Sequence, residues 1–193
     1  MIYTYLKGCE HMVNNSEFIN SQTYQNLQNA LQRELSVSTQ YRIYEERARR
    51  DGYQQIGNIF GITSENEMQH AIIWSRFLTG SIPDTLTNLR VSAEEENYVG
   101  TDLYVEYARI AREEGYIDVA NMFEGVAAIE RHHYFRFNTL AENIANNQVF
   151  CKPISTVWVC LRCGNLVWSE CAPEVCPICF YPQGYYELNC ENY

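Results

Sequence analysis

The sequence predicts an all-α four-helix bundle followed by a small metal-bound module of β-strands and loops. Three observations predict it. Apolar residues recur at helical spacing through four long segments, one constellation of residues occurs twice with a displacement of 63 positions, and two Cys-x-x-Cys pairs stand near the C-terminus. The first copy of the constellation reads Asp51-Gly52-Tyr53, Ile56, Phe60, Glu67 and His70, and the second reads Glu114-Gly115-Tyr116, Val119, Phe123, Glu130 and His133. Residues three apart on a helix project from one face, so each Glu-x-x-His pair aims a carboxylate and an imidazole at one point.

The elements follow in order. Residues 1–20 form a polar, Asn-rich leader. Residues 21–147 hold the bundle. Its first helix aligns Leu27, Leu31, Tyr41 and Ala48, with Glu34 on the same face, and Asp51-Gly52 breaks it. The second carries Ile56, Phe60, Thr63, Glu67, His70, Trp74 and Phe77 on one stripe and stops at Gly80. Residues 81–88, with Pro83 and turn formers, read as a longer connection. The third helix aligns Glu96, Val99, Leu103, Tyr107 and Ile110 and ends at Gly115, while the fourth has the cleanest stripe, Val119, Phe123, Val126, Glu130, His133, Phe137, Leu140 and Ile144. Short breaks after helices one and three and a long connection between two and three fit two antiparallel hairpins joined by a crossover. Residues 148–156 read as a linker and 157–193 as the four-cysteine domain, rich in aromatic and β-branched residues with Gly and Pro turns.

Composition narrows the function classes. The chain has 193 residues, 46% of them hydrophobic, enough for a sizeable core. A formal net charge of −10 without Lys/Arg clusters argues against nucleic acid as a partner. No stretch approaches the roughly 18 apolar residues of a membrane span, and the N-terminus lacks the apolar region of a secretion signal. A cytoplasmic location is therefore expected.

The cysteines divide into two groups. Cys160-x-x-Cys163-Gly164 and Cys176-x-x-Cys179 are separated by twelve residues, and each pair forms a knuckle that points two thiolates at one ion. Cys9, Cys151, Cys171 and Cys190 lie outside this pattern and read as free small side chains.

Charge placement argues for metal in the bundle as well. Glu34, Glu67, Glu96 and Glu130 fall on stripes otherwise filled by Leu, Ile, Val, Phe and Tyr. An unpaired carboxylate buried there would cost several kcal/mol. The arginines lie mostly off these stripes, so a pair of cations is the expected compensation. Four carboxylates and two imidazoles make an oxygen-rich pair of sites with nitrogen at each end, suited to iron or manganese.

With these motifs the chain resembles the rubrerythrins, in which a ferritin-like di-iron four-helix bundle precedes a rubredoxin-like iron module. The resemblance is most specific over residues 49–60, 111–123, the two Glu-x-x-His pairs and Cys160-x-x-Cys163-Gly164 with Ala172-Pro173-Glu174-Val175-Cys176-Pro177. It implies that Glu34, Glu67, His70, Glu96, Glu130 and His133 ligate two iron ions, with Glu67 and Glu130 as bridges. It implies a third iron, or zinc as a substitute, on Cys160, Cys163, Cys176 and Cys179. It also implies that Tyr41 and Tyr104, again 63 residues apart, hydrogen-bond ligand carboxylates and act with the bridges in catalysis. One position departs from the family: a second carboxylate on the third helix, an alternative ligand when the cluster changes oxidation state, is here Val99. The repeat also slips, because Glu34 precedes Tyr41 by seven residues and Glu96 precedes Tyr104 by eight. One extra residue is what a π-bulge leaves in a helix.

Together these readings lead to an expected function: a cytoplasmic non-haem peroxidase that reduces hydrogen peroxide to water and protects against oxidative stress. Two ferrous ions can deliver two electrons to a bound peroxide, and the four-cysteine iron can return electrons singly. The resemblance implies an NAD(P)H-dependent reductase or a separate rubredoxin as donor, and a homodimer is expected. A ferroxidase using dioxygen is the alternative, and a zinc-ribbon binding protein without redox activity is the second.

Overall fold

A computed structural model describes residues 15–191. The helices are α1 (Ser16–Ile19), α2 (Gln22–Arg50), α3 (Gln54–Thr79), α4 (Thr85–Tyr98), a π-helical turn (Val99–Leu103), α5 (Tyr104–Glu113) and α6 (Ile117–Ala145). Strands β1 (Cys151–Cys160), β2 (Leu166–Cys171) and β3 (Tyr186–Leu188) follow. Residues 1–14 of the predicted leader, Cys9 among them, lie outside the described residues, and the described remainder carries α1. The chain forms two compact units, one ending at Pro83 and the other beginning at Asp84.

In the first unit α2 and α3 form an antiparallel pair. Ser21 caps α2 by accepting from the Tyr24 N–H, and Arg47, Arg49 and Arg50 in its last turn suit the negative end of the helix dipole. Gly52, at φ +89°, turns the chain in a conformation that L side chains rarely adopt. The seam is made of small residues: Ser38 and Ala48 from α2 and Gly57, Gly61, Ser64 and Ala71 from α3 are buried. Two reciprocal bonds lock it. The Ser38 hydroxyl donates to the Ser64 carbonyl at 2.9 Å, and the Ser64 hydroxyl donates to the Ser38 carbonyl at 2.8 Å. Buried hydroxyls satisfied in this way contribute about 1 kcal/mol each.

The second unit repeats the plan with one irregularity. Helix α4, the π turn and α5 run as one rod against α6, again through alanine and glycine: Ala93, Gly100, Ala108 and Ala111 on the rod, Ala120, Ala127 and Ala141 on α6. Gly115, at φ +87°, makes the turn that Gly52 makes in the first unit. The π turn begins at Val99, three residues after Glu96, and absorbs the extra residue in the interval from Glu96 to Tyr104. Its Gly100 carbonyl accepts from the Arg131 guanidinium at 2.7 Å. The predicted long connection before this unit is shorter than the sequence reading: Asp84 caps α4 by accepting from the Thr87 N–H at 2.9 Å, so only residues 80–84 lie between α3 and α4.

A three-stranded antiparallel sheet of order β2-β1-β3 completes the second unit. Strand β1 begins at Cys151, inside the stretch that reads as a linker. The core of the module is Trp158, Cys160, Ala172, Cys176 and Tyr186. Contrary to the expectation of free thiols, Cys151 and Cys171 face each other across β1 and β2 and form a disulfide. Among the described residues no helix is long and apolar enough to cross a membrane.

Candidate metal centres

Helix spacing and the helix pairing together build two like clusters. In the first unit Glu34 on α2 meets Glu67 and His70 on α3, and in the second Glu96 on α4 meets Glu130 and His133 on α6. Within each cluster one ligand atom from every residue lies within 4.8 Å of the others. His70 Nδ1 is 2.9 Å from Glu67 Oε2 and 4.0 Å from Glu34 Oε2, and His133 Nδ1 is 2.7 Å from Glu130 Oε2 and 3.9 Å from Glu96 Oε1. Ligands about 2.1 Å from one ion stand no more than about 4.2 Å apart, so both histidine-to-carboxylate spans fit a shared cation.

Electrostatics point the same way. Desolvation raises the pKa of Glu34, helped by its hydrogen bond to Glu67, while that bond and the one with His70 lower the pKa of Glu67. Glu96 is raised by desolvation and by the hydrogen bond and charge of Glu130. Without a cation, two adjacent carboxylates relieve their repulsion by sharing a proton. A divalent ion can replace that proton, and this is the property a metal site needs.

The surroundings are duplicated too. The Tyr41 ring lies 5.9 Å from Phe60, with Tyr44 5.6 Å from the same ring, and Tyr104 and Tyr107 each lie 5.5 Å from Phe123. Among the described residues no hydrogen bond joins the Tyr41 or Tyr104 hydroxyl to a ligand carboxylate. The predicted tyrosines thus stand in aromatic clusters. Val99 is half-buried at the start of the π turn and offers no donor.

The cysteine knuckles form a second kind of centre. Cys160 Sγ is 3.7 Å from Cys179 Sγ, and Cys163 Sγ is 3.7 Å from Cys176 Sγ. A tetrahedron with metal–sulfur bonds of about 2.3 Å has edges of about 3.8 Å, so the four sulfurs are spaced for one ion. Gly164 N–H donates to the Cys160 carbonyl at 2.8 Å, and Phe180 N–H donates to that of Cys176 at 2.9 Å. Both closing residues have positive φ, +75° and +61°, and Phe180 occupies the place of a glycine. At Cys176 desolvation raises the thiol pKa, but the Tyr186 hydroxyl and the N–H groups of Cys179 and Ile178 outweigh it and bring it to about 6. At Cys163 the Asn165 N–H favours the thiolate, yet desolvation and the three neighbouring thiols push the pKa up to about 12. This set holds protons unevenly, and a bound cation would release them.

Comparison with known proteins agrees with this arrangement. The family model described as Rubrerythrin matches residues 25–141 and 87–158. The chain belongs to the rubrerythrin family. It is 38% identical over 189 residues to Rubrerythrin-1 of Clostridium acetobutylicum, covering 90% of this chain and 97% of that one. It is 36% identical over 180 residues to rubrerythrin of Nitratidesulfovibrio vulgaris, covering 87% and 94%. Among solved structures, the partially reduced and the fully reduced, all-ferrous states of nigerythrin each match at 25% identity, 92% coverage of both chains and a TM-score of 0.34. Membership gives the chain the family's architecture, a ferritin-like helical part and a rubredoxin-like cysteine module, and the family's iron sites, whose ligand types the three clusters supply.

Two features of this centre escaped the sequence. The serine lock between α2 and α3 has no motif, because serine at a helical seam looks like any surface serine. The bond from Arg131 to the π turn follows a charge adjacent to Glu130 that reads as solvated.

Proposed function

We propose that this rubrerythrin-family chain is a peroxidase that reduces hydrogen peroxide to water in the cytoplasm, with two irons in the helical part and electrons relayed through the four-cysteine iron. The observation that carries the reading is the pairing of two like Glu/Glu/His clusters with a four-cysteine cluster in one polypeptide. When bound, the iron pair supplies two electrons at adjacent positions, matching H2O2 + 2e− + 2H+ → 2H2O. In this reading Glu67 and Glu130 would hold both ions, and Glu34, Glu96, His70 and His133 would hold one each. Tyr41 and Tyr104, whose rings pack on Phe60 and Phe123, would act with the ligand carboxylates once the irons are bound. The ferroxidase alternative leaves the one-electron module without a task.

In this reading residues 21–147 form the di-iron part and 157–193 the iron module, with β1 extending the module back to Cys151. The electron donor is an NAD(P)H-dependent reductase or a separate rubredoxin, and the active species is a homodimer. The test uses Glu67→Ala and Glu130→Ala. Both are expected to lose the helical iron and peroxide reduction while keeping the cysteine iron, since the sites share no ligand. Unchanged iron content in both variants refutes the assignment.

A further inference from the structure

The Cys151–Cys171 disulfide has no part in the metal chemistry described above. It closes the far end of the β1–β2 ladder, beyond a register slip between Cys151 and Thr156, so regular pairing begins only where Thr156 faces Ser169. Neither cysteine belongs to the module's core of Trp158, Cys160, Ala172, Cys176 and Tyr186. Cys171 is exposed and Cys151 half-buried, which leaves the bond open to small reagents in solvent. Opening it leaves the pairing from Thr156 to Val159 in place. Beside the pair, the Ala172 N–H donates to the Phe150 carbonyl at 2.8 Å and keeps the two chain segments together whether or not the sulfurs are bonded.

The other cysteines point to a setting that keeps thiols reduced. Cys160, Cys163, Cys176, Cys179 and Cys190 are free, and the four of the metal centre can hold an ion only as thiolates. Where thiols are kept reduced, a disulfide is ordinarily transient and serves catalysis or redox sensing. A metal on the four cysteines would already cross-link the module, so a second permanent staple is not needed to fold it. An exposed dithiol pair held side by side, with one sulfur more accessible than the other, is instead the arrangement of an attacking and a resolving cysteine.

We propose that Cys151 and Cys171 form a reversible dithiol–disulfide couple that hydrogen peroxide closes and a dithiol reductant opens. The exposed Cys171 thiolate attacks one peroxide oxygen, the O–O bond breaks, and the leaving hydroxide takes a proton to become water, with a sulfenic acid left on Cys171. The Cys151 thiolate then attacks that sulfur. The S–O bond breaks, the S–S bond forms, and hydroxide leaves to take a proton as the second water. The sum is 2 RSH + H2O2 → RSSR + 2 H2O, with two electrons passing from sulfur to oxygen. Two thiol–disulfide exchanges with an external dithiol return those electrons and release its oxidised form. Closed, the bond fastens the start of β1 to the segment that carries Ala172 and Cys176 into the core. The proposal takes its oxidant from the peroxide reading above and adds a second two-electron site for the same substrate.

Anaerobic peroxide titration of the full, iron-loaded chain decides it. Protein treated with dithiothreitol and then freed of it is compared with protein whose bond is intact, both with all irons ferrous. Alkylation and peptide mass mapping report the state of each cysteine. The treated sample is expected to deliver about five electrons per chain against about three with the bond intact. Its Cys151 and Cys171 should pass together from alkylated thiols to one cross-linked peptide pair. Cys190, exposed and free, is the internal control and should remain alkylatable at the end point. Cys171→Ser should remove the two-electron difference and keep the parent's iron content. A bond that dithiothreitol leaves closed in the folded protein, or a dithiol pair that peroxide leaves open, overturns the proposal. Failure of the di-iron reading would look different: the iron share would fall in both samples, while the difference of about two electrons between them would persist.

Discussion

Two glycine-to-alanine changes in the second unit are expected to move stability in opposite directions. A Cβ added at Gly100 would stand 2.9 Å from the Arg131 backbone nitrogen and 3.0 Å from the Ala127 carbonyl oxygen, both main-chain atoms that cannot turn aside. One at Gly125 would meet nothing within 4 Å. Replacing a helical glycine by alanine gains about 1 kcal/mol from reduced backbone freedom in the unfolded chain. At Gly125 that gain stands alone, so Gly125→Ala should stabilise by about 0.5–1 kcal/mol. At Gly100 it is opposed by overpacking of about 1–3 kcal/mol, for a net loss of up to about 2 kcal/mol. The displacement should also widen the gap between the rod and α6 beside Glu96 and Glu130 and weaken iron retention. Chemical denaturation followed by helical circular dichroism, with metal analysis of each variant, measures both effects. Equal shifts of the same sign in the two variants would refute the claim that the π turn sits in main-chain contact with α6.

Other outcomes are expected. Cys151→Ser should lower the resistance of the module to unfolding by about 3 kcal/mol, the loop-closure value for a disulfide spanning 20 residues, without loss of the cysteine-bound metal; an unfolding curve that overlays the parent's under non-reducing conditions contradicts this. Phe180→Gly should stabilise the module by about 1 kcal/mol, because φ +61° costs a side-chain-bearing residue and not glycine, as measured by the rate of iron release to a chelator. Val99→Glu should add a carboxylate one helical turn from Glu96; comparison of oxidised and reduced structures then tests whether the nearby iron moves toward it, and an unshifted iron counts against that role. Ser38→Ala should cost about 1 kcal/mol through loss of the hydroxyl's bond to the Ser64 carbonyl, and a neutral change would show that the serine lock is dispensable.

Much of the architecture is legible in the sequence because the repeat is physical. Gly52 and Gly115 mark equivalent turns, and Phe60 and Phe123 anchor equivalent aromatic groups. The slip between Glu34–Tyr41 and Glu96–Tyr104 corresponds to the π turn at Val99–Leu103, since an extra residue in a helix with both ends fixed must be absorbed as a wider turn. Other features depend on tertiary proximity that no local pattern encodes. Cys151 and Cys171 are joined only through the register of β1 and β2, and their spacing matches no metal motif. Phe180 hides a left-handed knuckle because glycine, the usual signal, is absent. Pro83 reads as part of a long loop, but Asp84 immediately behind it is a helix cap, and that cap shortens the connection.

Anaerobic titration of the fully reduced, iron-loaded protein with hydrogen peroxide, followed by the visible absorption of the thiolate-bound iron, tests the central claim most directly. The account predicts about three electrons delivered per chain, two from the helical iron pair and one from the cysteine iron, with the ferric-thiolate colour developing as peroxide is consumed. A protein that takes up zinc alone, stays colourless and leaves peroxide intact would contradict it.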